Sequence, residues 1–220
     1  MSTEAMALTE RALEHFIHKT TDQAKSTMEI PLSAYRDADR YAVEVEGIFM
    51  HLPLAAALSL ELPEAGNYRA MSLMGVPVLL IRGDDMSVKA MLNVCSHRGA
   101  QLCREGSGTQ QMITCPYHAW SYNQKGDLIG RYGGNTFGDI DNDKYGLTQL
   151  HCEEKSGIVW VCLTPGEIFD IDNWLGDFGG ELDTLDLSNW YMHEQRDIAG
   201  PGWKVTMDGY LEAYHHQLVH

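Results

Sequence analysis

Cys95-Ser96-His97-Arg98-Gly99 and Cys115-Pro116-Tyr117-His118-Ala119-Trp120 each place a thiol and an imidazole two or three residues apart. Both follow short apolar runs that read as strands, over 87–94 and 112–114, so both lie at strand ends where two loops can face each other. Two thiolates and two imidazoles are enough for one structural zinc. They also suit a two-iron cluster in which one iron takes both cysteines and the other both histidines. Zinc knuckles usually pair like ligands within each short loop, whereas each loop here mixes the two types, which favours the cluster. Neutral imidazoles in place of anionic thiolates raise a cluster's reduction potential, so the implied chemistry is one-electron transfer.

The end of the chain carries a second constellation: Asp208, Glu212, His215, His216 and His220 all fall in a segment that reads as helical from Trp203 onward. A non-haem iron that activates oxygen takes two His, one carboxylate and open positions for oxygen and substrate. Helix geometry alone selects His216 and His220, which share a face, with Glu212 one turn earlier.

With these motifs the chain resembles the Rieske non-haem iron oxygenases, the aromatic-ring-hydroxylating dioxygenase family. Residues 68–163 look like the family's Rieske domain, and His97-Arg98-Gly99 with Cys115-Pro116-Tyr117-His118-Ala119-Trp120 carry the likeness. The resemblance implies a 2Fe-2S cluster on Cys95, His97, Cys115 and His118. Glu212, His215 and His220 match the family's acid-x2-His-x4-His pattern, which selects His215 and His220 for mononuclear Fe(II) and leaves His216 at a variable position. Five residues on an ideal helix overshoot a full turn by roughly 140°, so this choice needs a break between the ligands. Glu212 matches the catalytic acid that bridges a cluster His of one subunit to an iron His of its neighbour. Many members have Asp there, and Glu keeps quaternary-ammonium oxidation in view. Asp208 stands where the family often has Asn.

By the same resemblance, electrons come from an NAD(P)H-dependent reductase, directly or through a ferredoxin. O2 is the cosubstrate for mono- or dioxygenation of an organic, typically aromatic, molecule. The expected assembly is a homotrimer, with or without a small beta subunit, because the two metal sites that exchange electrons belong to neighbouring subunits. Respiratory Rieske proteins are less similar: Ala100 and Tyr117 occupy the places of their extra disulfide, and Trp120 replaces a hydroxyl donor. Fewer hydrogen bonds to the cluster imply a lower potential. The rival from another class is a Rieske ferredoxin-like electron carrier without its own catalytic iron.

The elements that must position these residues are legible in outline. Leu8, Ala12, Leu13, Phe16 and Ile17 mark an amphipathic helix over 4–19, and a second helical pattern covers 39–49. Strands are expected over 69–74, 76–82, 87–94, 112–114 and 157–163, with hairpin turns at Gly83-Asp84-Asp85 and Lys125-Gly126-Asp127. The fold class is α+β: a helical segment over 1–49 that joins the catalytic domain, an all-β Rieske domain over 50–166, and the start of an α+β catalytic domain over 167–220. The last helical pattern meets no cap, Gly or Pro. The expectation is therefore that the natural chain continues as a large (alpha) subunit and supplies a third, carboxylate iron ligand past residue 220, without which turnover is not expected.

Composition narrows the partners. Lys plus Arg number 16 against 31 acids, a net charge of −15, which repels nucleic acid. No apolar run approaches the ~20 residues that cross a bilayer, and no secretory signal is legible. Five cysteines, an odd number, argue for reduced thiols and a cytoplasmic address. Cys103, Cys152 and Cys162 fit no ligand spacing and read as small packed side chains.

Overall fold

The computed structural model describes residues 3–212. Helices run over Thr3–His18 (α1), Ser33–Arg36 (α2), Ala38–Glu44 (α3), Ile171–Leu175 (α4), Asp177–Asp183 (α5) and Trp203–Leu211 (α6). Strands run over Leu54–Leu58 (β1), Asn67–Leu73 (β2), Val76–Arg82 (β3), Val88–Leu92 (β4), Gly106–Thr109 (β5), Ile113–Thr114 (β6), Ser121–Tyr122 (β7), Leu128–Gly130 (β8), Gln149–Leu150 (β9), Cys152–Lys155 (β10) and Ile158–Val161 (β11). The architecture is mixed α+β. Two compact units emerge: Ala38–Pro201 forms one, and the chain up to Asp37 with the chain from Gly202 forms the other.

In the smaller unit, α1 forms as its pattern predicts. It ends in a Schellman motif: Lys19 takes the left-handed conformation and Thr20 N–H bonds back to the His15 carbonyl at 3.0 Å. The stripe of Leu8, Leu13, Phe16 and Ile17, expected to pack, is exposed. The expected terminal helix is α6, and it stops at Leu211, with Glu212 already extended.

The larger unit holds three antiparallel sheets: β1-β11-β10, β5-β2-β3-β4-β9 and β6-β7-β8. The central strand β3 shows how the sequence divides the core. A side-chain period of two sends Leu79 and Ile81 to one face and Val78 and Leu80 to the other, and both faces are buried. Leu79 and Ile81 join the core that contains Cys95, Cys115, Trp120 and Tyr122. Val78 and Leu80 join a second core shared with Val159 and Val161 of β11. The two Cys-His loops therefore rest on a sheet clamped from behind.

Two tight hairpins escaped the sequence reading. Met74-Gly75 joins β2 to β3 and Ser156-Gly157 joins β10 to β11, with positive φ at both residues of each turn. That is the type I′ geometry whose twist matches paired strands, but Met and Ser are not the residues that announce it. The π-helical turn Val45–Phe49 continues α3, so the second predicted helix changes winding partway. Among the described residues no helix is long and apolar enough to cross a membrane.

Candidate metal centre

The two Cys-His loops share one backbone design. In the first, Cys95 N–H bonds to the Ala100 carbonyl at 2.8 Å and Gly99 N–H to the Cys95 carbonyl at 2.9 Å. In the second, Cys115 N–H bonds to the Trp120 carbonyl at 2.8 Å and Ala119 N–H to the Cys115 carbonyl at 3.0 Å. The fourth residue after each cysteine must then turn left-handed, with φ of 74° at Gly99 and 53° at Ala119. A Cβ at Gly99 would meet nothing within 4 Å, so Gly99→Ala tests the backbone alone. The expected result is a loss of about 1 kcal/mol in denaturant unfolding, because only glycine takes this conformation without strain. Ala119→Gly should move stability little or upward.

Different devices close the loops at their bases. The first begins after β4, where Asn93, 1% exposed, donates from Nδ2 to the Cys103 carbonyl at 2.7 Å and accepts the Cys103 N–H at 3.0 Å. The second is closed by the pairing of β6 with β7, Thr114 opposite Ser121.

These loops bring four of the sequence-selected residues together. Cys95 and Cys115 are 2% and 3% exposed and belong to the same buried cluster. The rings of His97 and His118 stand edge to face, 5.0 Å apart, and both are only partly buried. Thiols thus face the core and imidazoles the surface. Burial pushes the Cys95 thiol up, as does the neighbouring Cys115, while Tyr122 and the His97 backbone N–H pull it down. Burial likewise holds His97 below its usual value, helped by His118 and Arg98, which favours the neutral imidazole that a metal requires.

The donor set fits a two-iron cluster. His118 Nδ1 is buried with no hydrogen-bond partner, an arrangement that costs free energy unless something accepts its lone pair. Two cysteines and two histidines are the ligand types that a Rieske cluster takes, one pair on each iron.

Around the four, the structure adds residues that spacing did not single out. Trp120, 2% exposed, stacks on His97 with centroids 4.6 Å apart and planes within 5°. Phe137 stands edge-on to both rings. Tyr117, 61% exposed, lies over His118 at 3.7 Å. Tyr122 Oη sits 3.2 Å from Cys95 Sγ, so one hydroxyl donor remains available although Trp120 offers none. Period-two alternation from Trp120 to Tyr122 could have flagged it, since both point into one core.

The second constellation is described only in part. Glu212 caps the C-terminal end of α6 and is exposed. Asp208 accepts a 2.6 Å hydrogen bond from Tyr35 Oη, which holds the phenol above its usual range. His215, His216 and His220 lie outside the described residues. Cys103 and Cys162 are buried, and burial pushes the Cys152 thiol up to about 11, so all three behave as packed side chains.

Residues 53–133 match the Rieske 2Fe-2S domain family, the class that this fold and its paired loops define. Likeness extends well past that domain. The carnitine monooxygenase oxygenase subunit of Escherichia coli (strain K12) is 31% identical over 84% of this chain and 50% of its own length. The glycine betaine monooxygenase oxygenase subunit of Pseudomonas aeruginosa (strain UCBPP-PA14) is 30% identical over 89% of this chain and 46% of its own. A crystal structure of the quaternary ammonium Rieske monooxygenase CntA in complex with L-carnitine superposes with a TM-score of 0.79 at 28% identity, covering 85% of this chain and 54% of that one. The chain belongs to the Rieske-type non-haem iron oxygenases and corresponds to their large (alpha) subunit. It spans about half the length of the curated relatives it matches.

Proposed function

We propose that this chain accepts electrons from an NAD(P)H-dependent reductase, directly or through a ferredoxin, and delivers them to a mononuclear non-haem iron that oxygenates a small organic molecule with O2. Cys95, His97, Cys115 and His118 would hold a 2Fe-2S cluster, which when bound supplies reversible one-electron transfer. His215 and His220 would hold the mononuclear iron, and Glu212 would bridge the two centres across a subunit boundary. A homotrimer supplies that boundary, with or without a small beta subunit. The observation that carries the reading is the convergence of two equivalent loops that bury both thiols and turn both imidazoles toward the surface.

The protein's own residues do the positioning. Trp120 fixes the plane of the His97 ring, and Tyr122 Oη stands within hydrogen-bonding distance of the Cys95 sulfur. His97 and His118, near solvent, form the edge where an electron donor docks. Five free thiols suit a reducing, cytoplasmic setting. The names of the first relatives favour a quaternary ammonium substrate over an aromatic one, and Glu212 agrees.

Anaerobic reduction with dithionite should produce the rhombic low-temperature EPR signal of a histidine-ligated 2Fe-2S cluster. A colourless protein that holds only zinc would defeat this reading. His215→Ala should lose the mononuclear iron and keep the cluster, while His216→Ala keeps both. Iron analysis that gave the reverse would hand the ligand role to His216. In oxygen-uptake assays with a reductase, carnitine or glycine betaine should stimulate consumption and anthranilate should not; the opposite preference would remove the quaternary ammonium assignment.

A further inference from the structure

Ser96 links the first metal-binding loop to a distant segment. Its hydroxyl has a single proton, which it donates at 2.6 Å to the Tyr145 carbonyl, a group able only to accept. Ser96 Oγ is therefore an acceptor toward Tyr122 Oη, 2.9 Å away. Tyr122 Oη also lies 3.2 Å from Cys95 Sγ, and a cysteine that holds iron is a thiolate with no proton to give. Two acceptors, Ser96 Oγ and Cys95 Sγ, thus compete for the one proton of Tyr122.

Hydrogen bonds to a cluster's sulfurs stabilise its more negative, reduced form and raise its potential. We propose that Ser96 is a positioning residue that sets the cluster's reduction potential by holding the Tyr122 proton partly away from the Cys95 sulfur. The proposal rests on Cys95 being a cluster ligand. The Tyr145 carbonyl fixes the direction of the chain: by taking the Ser96 proton, it leaves Ser96 no choice but to accept. Tyr145 reaches the histidine side too. Its ring stands edge-on to Trp120, 5.7 Å between centroids at 79°, and Trp120 stacks on His97. One residue of the turn Asn142–Tyr145 therefore touches the surroundings of both kinds of ligand.

The test is an EPR-monitored redox titration of the cluster-bearing chain. Ser96→Ala leaves Cys95 as the sole acceptor and should raise the midpoint potential, whereas Tyr122→Phe should lower it. Ser96→Ala added to Tyr122→Phe should produce no further shift, because the proton in question is gone. Ser96→Thr, which keeps the hydroxyl, should restore the wild-type value. The proposal is overturned by an unchanged or lowered potential in Ser96→Ala, or by an equal rise in the Tyr122→Phe background. A wild-type protein without any histidine-ligated 2Fe-2S signal would sink the cluster reading and this proposal with it. A normal signal with an unmoved potential sinks the proposal alone.

Discussion

Cys115→Ser is expected to yield a folded, colourless protein with no Rieske-type EPR signal and no acid-labile sulfide. The serine hydroxyl remains protonated where the thiolate would bind iron, so one iron loses half of its protein ligands. The side chain is 3% exposed in a packed core. Cys103→Ser is the matched control, because Cys103 sits in the same buried cluster but lies outside the ligand pattern. It should lower stability and keep the cluster. Loss of the cluster in both variants would point to general disruption of the core, and retention in Cys115→Ser would exclude Cys115 as a ligand.

Arg82→Ala is expected to lower unfolding stability by about 3 kcal/mol, read from the denaturant midpoint. Arg82 projects from β3 and gathers groups from separate parts of the domain. Nε donates to the Leu62 carbonyl at 2.7 Å and Nη1 to the Met86 carbonyl at 2.8 Å. Nη1 and Nη2 pair with Glu154 of β10 at 2.5 and 2.9 Å. Truncation would leave Glu154 without its cation and two carbonyls without donors. The figure sits at the low end for a buried pair because the Glu154 side chain keeps 29% of its exposure. Arg82→Lys should recover only part of the loss, since an ammonium cannot reproduce the planar fork. A change below about 0.5 kcal/mol for Arg82→Ala would show that the pair holds neither sheet.

The sequence by itself determined whatever depends on spacing along the chain. Mixed Cys-His loops behind strands were readable because each loop closes on itself: the Cys-to-fifth-residue hydrogen bonds and the left-handed fourth residue are local. The span of β3 was legible because apolar residues fill both of its faces, and the start of α6 followed from its pattern. Two-residue strands such as β7 and β9 were not, because two residues carry too little periodicity to register.

What only the tertiary structure decided is which distant side chains surround the paired cysteines and histidines. Ser96 meets Tyr145 across 49 positions and Cys95 meets Tyr122 across 27, so no local window relates them. Asn93 was silent for a different reason: an amide that imitates a backbone partner for Cys103 looks like any polar loop residue until the fold buries it. Hydrogen-bond direction was settled last of all. A tyrosine and a serine can each donate or accept, and only the placement of a carbonyl beside Ser96 makes its Oγ an acceptor that competes with the Cys95 sulfur for the proton of Tyr122.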